Sequence, residues 1–132
     1  MKATVLDSYA VIAYLQKQNK YEDVAELFDE CITKNHEVFL CVINWGEVLY
    51  QALRTGGESR MRLADDVMRA LPIQIIEANK DLTLQAARLK ASKKMSYADC
   101  FAAAVAMEKK CDLMTGDKEF KQVADEIKIR WI

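Results

Sequence analysis

Four acidic residues, Asp7, Glu47, Asp99 and Asp117, have the type and placement that best suit catalytic chemistry. Each lies at a predicted helix start, on the edge where predicted strands end. Carboxylates gathered at one place repel one another unless a cation neutralises them. Oxygen ligands without histidine or cysteine support are those that Mg²⁺ and Mn²⁺ prefer. Such an acid-only centre would rely on metal activation of water, which suits hydrolysis of phosphodiester bonds.

The stretch 92–120, SKKMSYADCFAAAVAMEKKCDLMTGDKEF, shows how two of these acids reach one edge of a sheet. Ser96 and Asp99 have the capping-box spacing of a helix start, and the small apolar helix that follows leads into the short strand CDLMT. Gly116 is expected to allow a sharp turn into Asp117 and a further helical turn. Because helices of a βαβ layer begin where parallel strands end, both carboxylates should lie at the edge where open α/β folds bind ligands.

Alternating strands and helices predict one α/β domain over residues 1–132, with a mainly parallel sheet of four to five strands flanked by helices. The predicted strands are 2–6, 37–42, 73–76, 111–115 and 127–131. The predicted helices are 8–17, 21–33, 44–54, 58–71, 79–90 and 96–110. Gly56 and Gly57 separate the third helix from the fourth, and Asn44 with Glu47 repeats the capping-box spacing. Apolar residues on several sides of the first helix indicate either a partner surface or a second helix packed over it.

Helix capping is the alternative explanation for each acid taken singly. A carboxylate at a helix start accepts hydrogen bonds from free N–H groups and favours the helix dipole. Glu58 and Asp81 also lie near helix starts, and no motif brings them into the cluster. The convergence of four acids is what favours a metal site over capping.

Other reactive residues give little support to other mechanisms. The one histidine, His36, lies in a turn before a strand, on the edge opposite the acids, which argues against Ser-His-Asp or Cys-His catalysis. The four cysteines form no CxxC pair, so we expect small buried thiols and no zinc site. The common Gly-rich nucleotide-binding motifs are missing.

Composition narrows the class of protein further. The chain is 52% hydrophobic and 30% charged with a net charge of −1, which fits a compact soluble domain and argues against a bulk polyanion-binding protein. The longest apolar run, 100–107, is too short to span a bilayer. Met1 leads into a strand with no room for a signal peptide, so we expect a cytoplasmic protein without membrane contact.

Four sequence blocks, VLDSYAVIAYL, INWGEVLYQAL, SYADCFAAAVA and DLMTGDKEF, follow one another over nearly the whole chain. Together they resemble the signature blocks of PIN-domain ribonucleases, and the short length is similar to that of VapC-type toxins of prokaryotic toxin–antitoxin pairs. The resemblance implies a PIN-like three-layer fold, Mg²⁺ or Mn²⁺, endonucleolytic cleavage of RNA, a homodimer and neutralisation by a cognate VapB-like antitoxin. The spacing of the acids alone predicts a metal site but does not point to RNA.

The resemblance also assigns roles to individual residues. The metal-binding and catalytic acids are Asp7, Glu47, Asp99 and Asp117. The supporting small or polar residues beside them are Ser8, Asn44 and Thr115. Basic residues close in sequence to the acid blocks are weaker candidates for phosphate contacts, and solvated surface charges explain them equally well. These candidates are Arg54, Lys93, Lys94 and Lys118.

Two alternatives keep the same fold. One is a housekeeping RNA-processing PIN nuclease, from which toxicity on expression, relieved by a neighbouring gene product, would distinguish a toxin. The other is a non-catalytic PIN-like module that binds RNA or protein. Metal-independent RNA binding that survives loss of Asp7 would favour the module.

Overall fold

The computed structural model describes residues 2–132, which form a five-stranded sheet covered by helices on both faces. The strands are β1 (Ala3–Leu6), β2 (Glu37–Cys41), β3 (Gln74–Ile76), β4 (Asp112–Thr115) and β5 (Ile129–Trp131). The helices are α1 (Ser8–Leu15), α2 (Tyr21–Thr33), α3 (Val42–Ala70), α4 (Lys80–Ser92), α5 (Tyr97–Lys109) and a 3-10 helix (Lys118–Val123). The three-layer α/β fold is therefore confirmed, and most predicted boundaries differ from the observed ones by one or two residues.

The sheet has the strand order β3-β2-β1-β4-β5, and every pair of neighbouring strands is parallel. The chain leaves the central strand β1 toward one side, through β2 and β3, and later returns to its other side as β4. Open α/β sheets bind ligands where the strand order reverses in this way, beyond the carboxyl ends of the strands. In this protein that point lies between the ends of β1 and β4.

Side chains that alternate along each strand build a separate core on each face of the sheet. Val5 packs into the core formed with α4, α5 and the 3-10 helix, whereas the next residue, Leu6, packs into the core formed with α1, α2 and α3. Helix α5 is buried from Asp99 to Ala106, as its small apolar residues predict. Parallel strands covered on both faces in this way read as continuous apolar runs.

Part of the apolar surplus on α1 is covered by neighbouring helices. Helices α2 and α3 both pack against α1, and Tyr14 stacks on Tyr21 with ring centroids 4.8 Å apart while meeting the edge of Phe28. Of the two interpretations offered by the sequence, packing by a second helix accounts for Tyr14, whereas Ile12 and Leu15 line an open groove. Within residues 2–132 no helix is both long and apolar enough to cross a membrane.

The predicted helices 44–54 and 58–71 are the two arms of α3, which is kinked at Gly57. This residue has φ 73° and ψ −166°, a backbone conformation that favours glycine. The expected capping box of Asn44 and Glu47 is wrong. Helix α3 begins directly after β2 with Cys41 as its N-cap residue, so Asn44 already lies in its first turn.

The expected reason for a glycine at position 116 is also wrong. Gly57 is the glycine with positive φ among the described residues, and Gly116 is not. Instead, the ring of Tyr9 lies so close to Gly116 that a Cβ there would be 2.6 Å from Tyr9 Cζ and 2.9 Å from its hydroxyl oxygen. Gly116 thus makes room for an aromatic ring.

Candidate metal centre

Four helical segments begin at the carboxyl-terminal edge of the sheet, and each carries one of the predicted acids. Asp7 precedes α1, Glu47 lies early in α3, Asp99 lies in the first turn of α5, and Asp117 precedes the 3-10 helix. The four acids and Ser8 line one open cavity of about 500 Å³. The structure therefore brings together all four acids singled out in the sequence.

Asp7 is fixed through both of its carboxylate oxygens. Oδ1 accepts a hydrogen bond from the Ala10 amide at 2.9 Å, which caps α1, and Oδ2 accepts one from the Thr115 hydroxyl. The Thr115 oxygen in turn accepts a hydrogen bond from the Asp117 amide at 2.9 Å. The fully buried Thr115 thereby links the ends of β1 and β4 and holds two acids in fixed relation.

Asp117 caps the 3-10 helix, since its Oδ1 accepts a hydrogen bond from the Glu119 amide at 2.9 Å. Capping, the alternative explanation for single acids, is thus a real part of the roles of Asp7 and Asp117. Each of these caps occupies one carboxylate oxygen. Capping and membership of the cluster are therefore compatible for both residues.

Asp99 contributes its carboxylate to the cluster and its amide to the helix cap. Ser96 Oγ accepts a hydrogen bond from the Asp99 amide at 3.1 Å, which confirms the predicted helix start. The reciprocal bond of a capping box goes elsewhere, because the Ser96 amide donates to Glu119 Oε2 at 3.4 Å. Carboxylate oxygens of Asp99, Asp117 and Glu119 lie within 4.8 Å of one another.

Asn44 connects the Glu47 side chain to the start of α5. Its Nδ2 donates hydrogen bonds to Glu47 Oε1 at 3.0 Å and to the Ala98 carbonyl at 3.1 Å. Asn44 is fully buried, and its Oδ1 is the one buried side-chain oxygen or nitrogen among the described residues that has no hydrogen-bond partner. A buried carbonyl oxygen without a donor costs about 1–3 kcal/mol, so this orphan calls for an explanation.

The cluster holds more negative charge than its surroundings neutralise. Burial, together with Asp117 and Glu47 nearby, raises the pKa of Asp7 to about 7, although hydrogen bonds from Thr115 and Ala10 oppose the shift. Burial and the neighbouring acids likewise raise the pKa of Asp99 to about 8. Among residues 2–132, no lysine, arginine or histidine lines this cavity.

Comparison with known proteins decides the family. The family model described as the PIN domain matches residues 4–126, most of the chain. The chain belongs to the PIN domain family. This confirms the family predicted from the four sequence blocks. No curated protein matches the sequence at a significant level.

Solved structures with the fold of this PIN domain include complexes of VapBC proteins. VapBC from Salmonella typhimurium bound to DNA has 17% identity and a TM-score of 0.79, covering 99% of this chain and 98% of that one. VapBC2 from Rickettsia felis, bound to a DNA fragment from its promoter, has 18% identity and a TM-score of 0.77, covering 98% of both chains. VapC20 from Mycobacterium tuberculosis, a sarcin-ricin loop cleaving toxin, has 15% identity and a TM-score of 0.74, covering 91% of this chain and 94% of that one. At these identities the likeness shows the fold.

The chemistry of the cavity fits a hard divalent cation. Its ligand atoms are carboxylate oxygens, without sulfur or imidazole nitrogen from the described residues, which is the donor set of Mg²⁺ and Mn²⁺. A cation would favour the ionised forms of the two carboxyls that burial and mutual repulsion otherwise keep protonated. The unpartnered Asn44 Oδ1, beside Glu47, could accept a hydrogen bond from a water molecule that such a cation orders.

The predicted phosphate-binding residues are not brought into this cavity. Arg54, Lys94 and Lys118 are exposed, and Lys93 forms an ion pair with Glu126 at 3.2 Å. None of the four predicted basic residues lines the cavity. Contacts to a longer substrate outside the cavity are therefore the role left open to them.

Three kinds of cavity residue escaped the sequence analysis. Glu119 adds a fifth carboxylate, Tyr9 adds an exposed ring, and Gln16 and Gln51 add neutral amides. Glu119 had a signal, because it lies two residues after Asp117 in the block DLMTGDKEF. The glutamines lie where helices converge, which the local sequence does not reveal.

The opposite edge of the sheet carries a second polar group with a different character. The Thr4 hydroxyl donates to Asp112 Oδ1 at 2.6 Å and accepts from His36 Nε2 at 2.9 Å, because a hydroxyl has one hydrogen to donate. Glu30 lies 3.5 Å from His36 Nδ1 and receives two hydrogen bonds from Arg130, at 3.0 and 3.3 Å. His36 is thus a buried, hydrogen-bonded residue at the edge opposite the four acids of the cavity, as its sequence position predicts.

The four cysteines are free thiols, and the predicted burial is complete for Cys41 and Cys100. The other two are partly buried. Burial raises the pKa of each thiol, that of Cys111 to about 11, so all four are held in the unreactive protonated form.

Proposed function

We propose that this PIN domain is a Mg²⁺- or Mn²⁺-dependent endoribonuclease and the toxin of a VapBC-type toxin–antitoxin pair. The observation that carries the proposal is the cluster of uncompensated carboxylates at the point where the strand order reverses. Because the pKa values of Asp7 and Asp99 are raised, ionising these two carboxyls lowers the stability of the fold unless a cation binds there. Similarity to VapC20, a sarcin-ricin loop cleaving toxin, supports RNA as the substrate.

In this proposal Asp7, Asp99 and Asp117 hold the cation, and Glu47 binds it or positions water. A divalent ion bound there supplies Lewis-acid activation of water and neutralises charge on the phosphate. Thr115 fixes the orientation of the Asp7 carboxylate. Asn44 holds Glu47 through a hydrogen bond and carries a free acceptor for an ordered water.

Cleavage of a panel of structured RNAs by the purified protein, with Mg²⁺, Mn²⁺ or EDTA, tests the proposal. We expect metal-dependent cutting that Asp99→Asn reduces by about a hundredfold or more, since this change removes a ligand. Asp81→Asn is the matched control, because Asp81 is an exposed acid in the first turn of α4 and lies outside the cavity. Equal cutting by wild type and Asp99→Asn would overturn the assignment of the site.

An antitoxin partner is the second part of the proposal. It is supported by similar structures that are VapBC complexes and by a mainly apolar groove of about 700 Å³ between α1 and α3. The groove shares Ile12, Gln16 and Gln51 with the acid cavity, so a chain seated in it would pass beside the acids. Growth arrest on expression, relieved by the product of a neighbouring gene, is the expected result.

Two alternatives to this function are distinguished by related measurements. RNA cleavage without toxicity would favour a housekeeping nuclease, and RNA binding without metal that survives Asp7→Asn would favour a non-catalytic module.

We further propose a homodimer, supported by apolar side chains left in solvent, such as Ile32 at 79% and Leu63 at 64% exposure. Light scattering coupled to size-exclusion chromatography measures that mass directly.

A further inference from the structure

Tyr9 stands out among the cavity residues because it is an aromatic side chain held in solvent beside the acids. It follows Asp7 by two residues, lines the same cavity as Asp99 and Asp117, and is 44% exposed. The ring is not part of either hydrophobic core. An exposed ring at such a place suits a ligand with a flat apolar surface.

We propose that Tyr9 is a stacking platform for one unpaired nucleobase of the RNA, next to the phosphodiester bond that is cut. This inference rests on the proposed nuclease function and specifies the form of its substrate, a single strand or loop with a base free to stack. Bases of single-stranded RNA stack on aromatic side chains, whereas bases within a duplex are not accessible to them. The platform would therefore select unpaired segments.

The position of the ring is set by Gly116. A Cβ at residue 116 would lie 2.6 Å from Tyr9 Cζ, so the ring rests against the backbone that leads directly into Asp117. Contact at the hydroxyl end of the ring, together with the 44% exposure of the residue, leaves the ring supported but accessible. A supported ring loses less conformational freedom on binding than a mobile one, which favours stacking.

The rest of the cavity agrees with a base-binding role. Beside Tyr9 the lining includes Gln16, Gln18 and Gln51, which carry neutral amides. Gln18 Nε2 donates to Gln16 Oε1 at 2.6 Å, which leaves Gln16 Nε2, Gln18 Oε1 and the Gln51 amide for hydrogen bonds to a base edge. Because no basic side chain among the described residues lines this cavity, ion pairs there cannot position the RNA. Stacking and amide contacts remain as the interactions with which the protein itself can hold a nucleotide at this point.

Tyr97 provides a matched control within the same chain. It is 45% exposed and lies two residues before Asp99, so its type, exposure and distance in sequence from an acid match those of Tyr9. It packs against Phe101, with ring centroids 5.1 Å apart, and does not line the acid cavity. Loss of Tyr97 should therefore leave base stacking unchanged.

The test uses fluorescein-labelled single-stranded RNA octamers of one mixed sequence, intact or with an abasic site at each successive position. Fluorescence anisotropy with Ca²⁺ in place of Mg²⁺ measures the Kd of each for the full chain. We expect one abasic position to weaken binding to wild type by about 5- to 100-fold. In Tyr9→Ala, binding of the intact RNA should weaken by a similar factor, and the same abasic site should cost nothing more.

Two further variants strengthen the test. Tyr9→Phe should keep the position-specific penalty because the ring is retained. Gly116→Ala should lose it because the new methyl group displaces the ring, with Mn²⁺ affinity measured alongside to show that Asp117 still binds. Tyr97→Ala should behave like wild type.

Three results would overturn the inference and are distinguishable. If wild type cuts RNA in Mn²⁺ but Tyr9→Ala shows the same abasic profile as wild type, the platform is wrong and the nuclease stands. If wild type cuts the structured RNAs in Mn²⁺ but neither binds nor cuts any of the single strands, the platform is wrong and the nuclease stands. If wild type binds Mn²⁺ but cuts neither the structured RNAs nor the single strands, the proposed function fails and the platform fails with it.

Discussion

The two edges of the sheet hold similar polar side chains in opposite electrostatic settings. At the amino-terminal edge, Glu30 is paired with Arg130, and this hydrogen-bonded partner lowers the pKa of the Glu30 carboxyl. At the carboxyl-terminal edge, burial raises the pKa of Asp7 to about 7 and that of Asp99 to about 8, and neighbouring acids add to the effect. The first arrangement stabilises the fold, and the second opposes it.

This contrast separates structural polar groups from candidate functional ones without reference to any relative. An acid kept for stability has a cation or a set of donors around it, as Glu30 has. An acid cluster that costs stability and has no cation from the protein calls for a ligand from outside. The four predictions below test that distinction, beginning with the largest expected effect.

The two edges should respond to pH with opposite signs. The folded state holds protons on Asp7 and Asp99 that the unfolded state releases near pH 4, so stability falls as pH rises toward their folded pKa values of about 7 and 8. The lowered pKa of Glu30 has the reverse effect, so its contribution is lost as pH falls below about 4.5. In metal-free protein we expect the melting temperature to drop by about 5 °C or more between pH 5 and 8.

Variants show which edge causes the loss of stability between pH 5 and 8 and which causes the loss below about pH 4.5. Asp99→Asn should reduce the fall in melting temperature between pH 5 and 8 and leave the fall below about pH 4.5 unchanged. Arg130→Gln should reduce the fall below about pH 4.5 and leave the one between pH 5 and 8 unchanged. If the melting temperature of Asp99→Asn falls between pH 5 and 8 as steeply as that of wild type, the Asp99 carboxyl is not protonated in the folded protein.

Mn²⁺ should stabilise the protein through the carboxyl-terminal edge alone. Binding to the folded state adds about 2.7 kcal/mol when free metal is a hundredfold above Kd. Differential scanning fluorimetry should show a rise of several degrees for wild type and for Arg130→Gln, but a much smaller one for Asp99→Asn. A wild-type melting curve that Mn²⁺ leaves unchanged would contradict the assignment of this edge as a metal site.

Loss of the pair at the amino-terminal edge should reduce stability without touching the proposed chemistry. Arg130→Gln leaves the half-buried Glu30 carboxylate without its two donors, which we expect to cost about 1–2 kcal/mol. Urea unfolding measures the loss, and RNA cleavage by the folded protein should stay at the wild-type level. Reduced cleavage at full folding would show that the two edges are coupled.

The smallest effect concerns Glu119, the exposed acid that the sequence analysis did not weigh. Glu119→Gln should weaken Mn²⁺ binding several-fold, up to about tenfold, because one carboxylate of the group with Asp99 and Asp117 loses its charge. Titration followed by electron paramagnetic resonance of free Mn²⁺ measures this shift. Glu22→Gln, a charge-matched change in the first turn of α2, should bind Mn²⁺ like wild type.

The sequence predicts the architecture and the four acids because their signals are local. Ser96 and Asn79 cap helices at the predicted helix starts, and short apolar runs form the five predicted strands. Parallel α/β geometry then brings residues after strands and at helix starts to a common edge. The predicted positions of Asp7 and Asp117 follow from that rule alone.

The features that escaped prediction depend on tertiary contacts. β2 runs into α3 without a loop, so Asn44 turns from an expected cap into a bridge to Ala98, 54 residues away. The contact between Tyr9 and Gly116 joins two distant segments, and neither residue type announces it. The spacing of residues within one segment does not predict such contacts between distant segments.

The central place of β1 also determines when the centre can form during synthesis. β1 is synthesised long before its partner β4, which pairs with it through residues more than a hundred positions later, Leu6 with Met114 for example. Contacts so distant in sequence form late in folding, and domains fold as their chain emerges from the ribosome. Asp7 and Asp117 therefore come together only after β4 has been synthesised, and the proposed nuclease stays incomplete beside the RNA of its own ribosome until then.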